Sequence, residues 1–165
     1  MISLKNRKQG FTIVELLIVI VVIGILALLV ITTYSGIQAK ARDSKRSSDV
    51  KSLQTQVEAY FSQNGHYPSR ADMNSATWRK NNMPSLDSNA LKDPKSTTAQ
   101  CDVTSDTSTC FAATPTTGQH YEYAPTVDGS ASCEADDTTC AQYNLVANYE
   151  NSVNGQTSAT AKNLD

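Results

Sequence analysis

Histidine, paired metal-ligand cysteines and early proline are all scarce in this chain of 165 residues, and each scarcity removes a class of function. Histidine occurs only as His66 and His120. His66 sits in NGHYP, just beyond a helix-stopping Asn-Gly, and reads as a turn residue. The serine–histidine–acid combinations that can be drawn use His66 or His120 with residues in unrelated loops, and there is no phosphate-cradling glycine loop or H-E-x-x-H pair, so the chain is not read as an enzyme and no cofactor is expected. The cysteines Cys101, Cys110, Cys133 and Cys140 are spaced C-x8-C and C-x6-C. Neither spacing is that of a zinc site or of a redox C-x-x-C. Proline is missing before Pro68, so nothing in the first part of the chain forces a helix to break.

Charge is scarce in one place only, and that place organises the chain. After a basic head (Lys5, Arg7, Lys8) the 21 residues Phe11–Ile31 carry a single ionisable side chain, Glu15. As a helix this run is roughly 31 Å long, the thickness of a bilayer's hydrocarbon core. An acidic side chain inside that core costs about 2.5–3.5 kcal/mol and asks for a partner. The run is longer than the core of a cleaved secretory signal and lacks a small-residue cleavage site beyond it. A plain signal anchor accounts for its length but not for Gly10 or Glu15.

The stretch Gly10-Phe11-Thr12-Ile13-Val14-Glu15, followed by an unbroken apolar run, resembles the prepilin motif of type IV pilins and the related pseudopilins. The resemblance implies that a membrane peptidase cuts after Gly10 and methylates the new N-terminus at Phe11. Residues 1–10 would then be a cytoplasmic leader, 11–34 a single membrane helix that becomes filament core, and 35–165 an extracytoplasmic domain. It implies as partners further copies of the chain, the membrane before assembly, the peptidase, and assembly machinery including an ATPase and a platform protein. The implied role is a structural subunit of a surface filament serving adhesion, motility or DNA uptake. A pseudopilin of a type II secretion or competence system is the alternative, and a membrane-tethered extracellular binding domain a third. Glu15 is read as the charge that meets the new amine of a neighbouring subunit and sets axial register. Many type IV pilins carry a proline where this chain has Thr32, counted from Phe11. Thr32, Thr33 and Gly36 leave two expectations open, a softened segment at 32–36 and a continuous helix.

Helical spacing continues past the apolar run to Asn64-Gly65. Val50, Leu53, Val57, Tyr60 and Phe61 form one apolar stripe, which Ile37 and Ala41 are expected to extend toward the membrane. Ser69 and Ser75 are candidate N-caps of a short helix or two turns, with Met73 and Trp78 as core contacts. Between Ser96 and Thr117 half of the 22 residues are Ser or Thr, which predicts a surface loop that buries little and is open to O-glycosylation. HYEYAPTV and QYNLVANYE alternate like strands of an antiparallel hairpin, with 157–162 a third strand or a polar tail. The expected fold is α+β: a long N-terminal helix packed on a small antiparallel sheet, ladle-like.

Short loops favour the disulfides Cys101–Cys110 and Cys133–Cys140 among three pairings. Glu134, Asp136 and Asp137, with Asp128, make an acidic hairpin tip that calcium could use, although it lacks an EF-hand pattern, and a solvated tip is the default. Five basic and two acidic residues lie between Lys40 and Lys51, whereas six basic and thirteen acidic residues follow from Ser52 onward. The basic girdle reads as a solvated helix face with pairs such as Asp43–Arg46 and Lys45–Asp49. As function it would meet lipid headgroups or acidic neighbours. DNA remains a conceivable partner, but the acidic remainder opposes a broad nucleic-acid surface.

Overall fold

A computed structural model describes residues 10–107, 109–133 and 137–164. The expected leader residues 1–9 and the acidic Glu134 and Asp136 lie outside the described residues. The chain divides into two compact units, Met1–Gln38 and Ala39–Asp165. Helix α1 (Ile13–Asn64) contributes to both.

In the first unit α1 is apolar on every side. Its large side chains are exposed all the way round, from Ile13 to Ile31. Among the described residues this is the one helix long and apolar enough to cross a membrane, by length and composition. The helix runs unbroken through residues 32–36. Thr33 donates its hydroxyl to the Leu29 carbonyl at 3.0 Å, a back-bond that satisfies the polar group within the helix.

In the second unit α1 becomes amphipathic. Val50, Leu53, Val57 and Tyr60 are buried at three- and four-residue steps, so one face of the helix enters the core. Asn64 ends the helix. Gly65 follows with φ +77° and donates its N–H to the Phe61 carbonyl at 2.8 Å, the left-handed stop expected of Asn-Gly. Two short helices come next, α2 (Arg70–Asn74) and α3 (Ala76–Asn82). Ser69 caps α2 in a reciprocal capping box with Asp72, and Ser75 caps α3 through the Trp78 N–H.

Four strands, β1 (Phe111–Ala112), β2 (Tyr121–Thr126), β3 (Gln142–Val153) and β4 (Gln156–Lys162), form one sheet in sequence order. Alternation directs Tyr121, Tyr123, Tyr143, Leu145 and Ala147 into the core. The β3–β4 turn is Asn154-Gly155, with φ 52° and 80°; two consecutive positive φ values match the twist of a tight hairpin. Residues 157–162 are therefore strand rather than tail.

The fold is the expected α+β, with three local corrections. The sheet is mixed rather than antiparallel, because β1 pairs parallel with β2, Phe111 opposite Tyr121. Asn74 sets that edge: its amide donates to the Phe111 carbonyl and accepts the Phe111 N–H, a side chain standing in for a strand. The Ser/Thr-rich segment also buries more than its composition suggests, since Cys101, Cys110 and Phe111 are all enclosed. Finally, the apolar stripe does not run on through Ile37 and Ala41, both of which are exposed. Ala39, Asp43, Arg46 and Asp49 take the buried face there instead.

Candidate functional site

The residues around Gly10 form the first candidate. Gly10 is exposed, with no atom of the described residues within 4 Å of where a Cβ would stand, and Phe11 is 89% exposed. Thr12 and Glu15 then start α1 with a capping box. The Glu15 N–H donates to Thr12 Oγ1 at 3.2 Å, while the Thr12 N–H reaches back to Glu15 Oε2 at 2.8 Å. The Thr12 hydroxyl donates to the same oxygen at 2.7 Å. T-x-x-E is a sequence signature of a helix start, and the reading of Glu15 as a charge alone passed over it. Both bonds fall on Oε2, so Oε1 has no partner among the described residues. One carboxylate oxygen is satisfied locally and the other is open to a donor from outside the chain.

The basic girdle differs from the solvated face expected of it. Arg46 is fully buried in the second unit. It donates Nε and Nη2 to the two oxygens of Asp93 at 2.7 and 2.9 Å, and Nη1 to Asp43 at 2.7 Å and to Glu150 at 3.0 Å. Arg42 forks onto Glu150 at 2.6 and 2.7 Å, and Lys95 adds a third cation there at 3.1 Å. Three cations thus meet three carboxylates. Asp43 also accepts the backbone N–H groups of Glu150 and Asn151. Regular β3–β4 pairing lapses between Asn148 and Val153, which frees those two donors for the helix. Hydrogen bonds from Arg42 hold the Glu150 carboxyl down at about 2, against the opposing effect of burial. Burial raises the carboxyl of Asp49, although Lys45 and the Tyr121 hydroxyl both bond to it. The same burial, with Asp49 alongside, pushes the Tyr121 hydroxyl up. These contacts lock α1 to the sheet and to the loop at Asp93; they leave Lys40 and Lys51 as the exposed cations of the girdle.

The two disulfides are Cys101–Cys110 and Cys133–Cys140, and no cysteine is free. Cys133, Asp137 and Cys140 bring ligand-type atoms within 4.8 Å of one another. The two sulfurs are bonded to each other and offer no thiolate. Asp137 accepts from the Thr139 N–H and hydroxyl, and Asp128 is taken up by Ser130 and Ala131. His66 is a turn residue whose ring lies edge-on to Tyr60, and Trp78 packs against the same tyrosine at 5.1 Å.

Residues 5–31 match the family model of the prokaryotic N-terminal methylation motif. This is a prepilin-type N-terminus. The chain is 38% identical over 65 residues to the type II secretion system core protein G of Dickeya chrysanthemi, covering 39% of this chain and 42% of that protein. It is 40% identical over 63 residues to core protein G of Escherichia coli (strain K12), 38% of this chain and 43% of that one. Similarity to the type IV major pilin protein PilA of Myxococcus xanthus reaches 38% identity over 61 residues, 37% of this chain and 28% of PilA. The chain thus matches less than half the length of these relatives. No solved structure matches it. The family model's span of residues 5–31 takes in Gly10, Phe11, Glu15 and the apolar part of α1 as far as Ile31.

Proposed function

We propose that the chain is a structural subunit of a type IV pilus-like filament, cut after Gly10 and N-methylated at Phe11. Residues 1–10 are then the cytoplasmic leader, residues 11–34 cross the membrane and later form filament core, and residues 35–165 lie outside the cytoplasm. The observation that carries this reading is an apolar helix exposed on all sides that starts at a half-satisfied carboxylate. Moving such a helix from lipid to protein exchanges one apolar surrounding for another, so hydrophobic contact alone cannot select axial register. A charge can. Cleavage creates an amine on Phe11, and Glu15 Oε1 offers it an acceptor in a poorly screened setting.

A pseudopilin role in a secretion system is the second reading, favoured by the relatives named core protein G. Both readings share the maturation and assembly steps, and abundance on the cell surface as long fibres separates the first from the second.

The test compares sheared filaments with membrane-held mature subunit. Glu15→Val should leave cleavage and insertion intact while abolishing or sharply reducing filaments, and Glu15→Asp should assemble partially. Filament yield from Glu15→Val equal to the parent's would defeat the registration step and reduce Glu15 to a helix cap.

A further inference from the structure

Away from the N-terminus, the second unit holds a cleft of about 660 Å³ between α3 and the segment through Leu86 and Leu91, with Val103 on its far wall. That volume lies within the range of small-ligand sites. Its lining is split in character. Met83, Leu86, Leu91 and Val103 supply an apolar wall, while Arg79 and Lys80 supply positive charge.

Arg79 is the unusual member. It is 5% exposed, yet no carboxylate lies within ion-pair distance of it among the described residues. The contrast with Arg46, also buried but surrounded by three carboxylates, is internal to the same unit. Arg79 donates Nη1 to the Met73 carbonyl at 2.6 Å and Nη2 to the Val103 carbonyl at 2.7 Å. Those neutral acceptors fix the guanidinium without cancelling its charge, and Nε is left without a partner among the described residues. Asp106, the acid that acts on it from a distance, is already committed to the Thr77 N–H and hydroxyl and to the Ser75 hydroxyl. Burial lowers the pKa of the Arg79 guanidinium, as expected for a cation short of counter-charge. A fixed and uncancelled cation at an apolar wall is arranged to receive an anion with an aliphatic arm.

We propose that this cleft binds a small amphipathic carboxylate, with Arg79 as the anchor for the anion and the Met83–Leu91 wall holding the aliphatic part. Lys80, exposed at the rim, draws the anion in. The site lies in the second unit and does not depend on filament assembly.

The probe is N-acetyl-leucinate, with N-acetyl-leucinamide as an uncharged control of the same shape, titrated into the full chain in detergent micelles and followed by NMR. The expected result is a saturable shift of the Arg79 Nε–H resonance and of nearby amides on α3 and at 103–104, with the carboxylate bound on the order of tenfold more tightly than the amide. Arg79→Gln should abolish the response. Because Arg79 also ties Met73 to Val103, that variant could fail to fold. Thr104→Phe, which narrows the cleft without removing a buried group, should then abolish binding while the rest of the spectrum stays unchanged. Equal response to acid and amide, shifts elsewhere on the surface, the absence of saturation, or undiminished binding by folded Thr104→Phe would each overturn the proposal.

Discussion

Arg46 and Asp93, 47 residues apart in sequence, meet in the interior as a two-pronged ion pair at 2.7 and 2.9 Å. The pair joins α1 to the loop that precedes the first disulfide. Around it Asp43 and Glu150 complete the neutralisation of Arg46, so the most basic stretch of helix also ties distant parts of the second unit together.

Removing one partner of such a group leaves the others buried and uncompensated. Arg46→Ala should destabilise the second unit by about 3–5 kcal/mol, since Asp43 and Asp93 would lose their shared cation inside the protein. Lys51→Ala, at an exposed position on the same helix, should change stability by less than about 0.5 kcal/mol. Denaturant unfolding of the full chain in detergent, followed by near-ultraviolet dichroism of the core tyrosines, reads the difference. Similar losses for the two variants would show that the cluster does not bear on the fold.

The acid side of the stability profile should report Glu150. Its carboxyl sits at about 2 in the folded chain, below its ordinary 4.5. A depressed acid stabilises the fold above its unfolded value, so its contribution is complete above about pH 4.5 and disappears as pH falls toward 2. Glu150→Gln should flatten part of that fall. Asp49 cannot produce it, because a carboxyl raised by burial favours the folded state as pH drops. Asp106, lowered by its bonds to Thr77 and Ser75, should account for a further share. Urea midpoints across this range for parent and Glu150→Gln decide the matter, and parallel profiles would remove Glu150 as a source.

Each disulfide closes a short loop, with sequence separations of 9 and 7. In the chain-entropy picture a loop of that size contributes about 2–3 kcal/mol. Replacing Cys101 and Cys110 together by serine should cost at least that, because both sulfurs are buried beside Phe111 in the core. Replacing Cys133 should matter less to packing, as it is only half-buried. Non-reducing peptide mapping should recover Cys101–Cys110 and Cys133–Cys140; crossed pairs would contradict the loop arrangement.

Local signals with a short range were readable from the sequence. The stop at Asn64-Gly65, the caps Ser69 and Ser75, the stripe Val50–Leu53–Val57–Tyr60 and the alternation in β2 and β3 each depend on neighbours a few residues away. Arg46 was not readable in this way. On a helix wheel it is one more cation in a basic stretch, and its burial depends on Asp93 and Glu150, 47 and 104 residues further on. Strand β1 was hidden for a similar reason, since two residues carry no periodicity and their pairing rests on Asn74. The Thr12–Glu15 box was legible but was obscured by the more conspicuous oddity of a charge in an apolar run.

Cleavage between Gly10 and Phe11 precedes every later step of filament assembly, so the mature N-terminus is the most direct test. Intact-mass measurement and N-terminal sequencing of the protein from its native cell envelope should find a chain that begins at N-methylated Phe11 and lacks Met1–Gly10. A mature protein that retains Met1–Gly10, or that begins beyond the apolar run, would contradict it and leave the helix as an ordinary anchor or a removed signal.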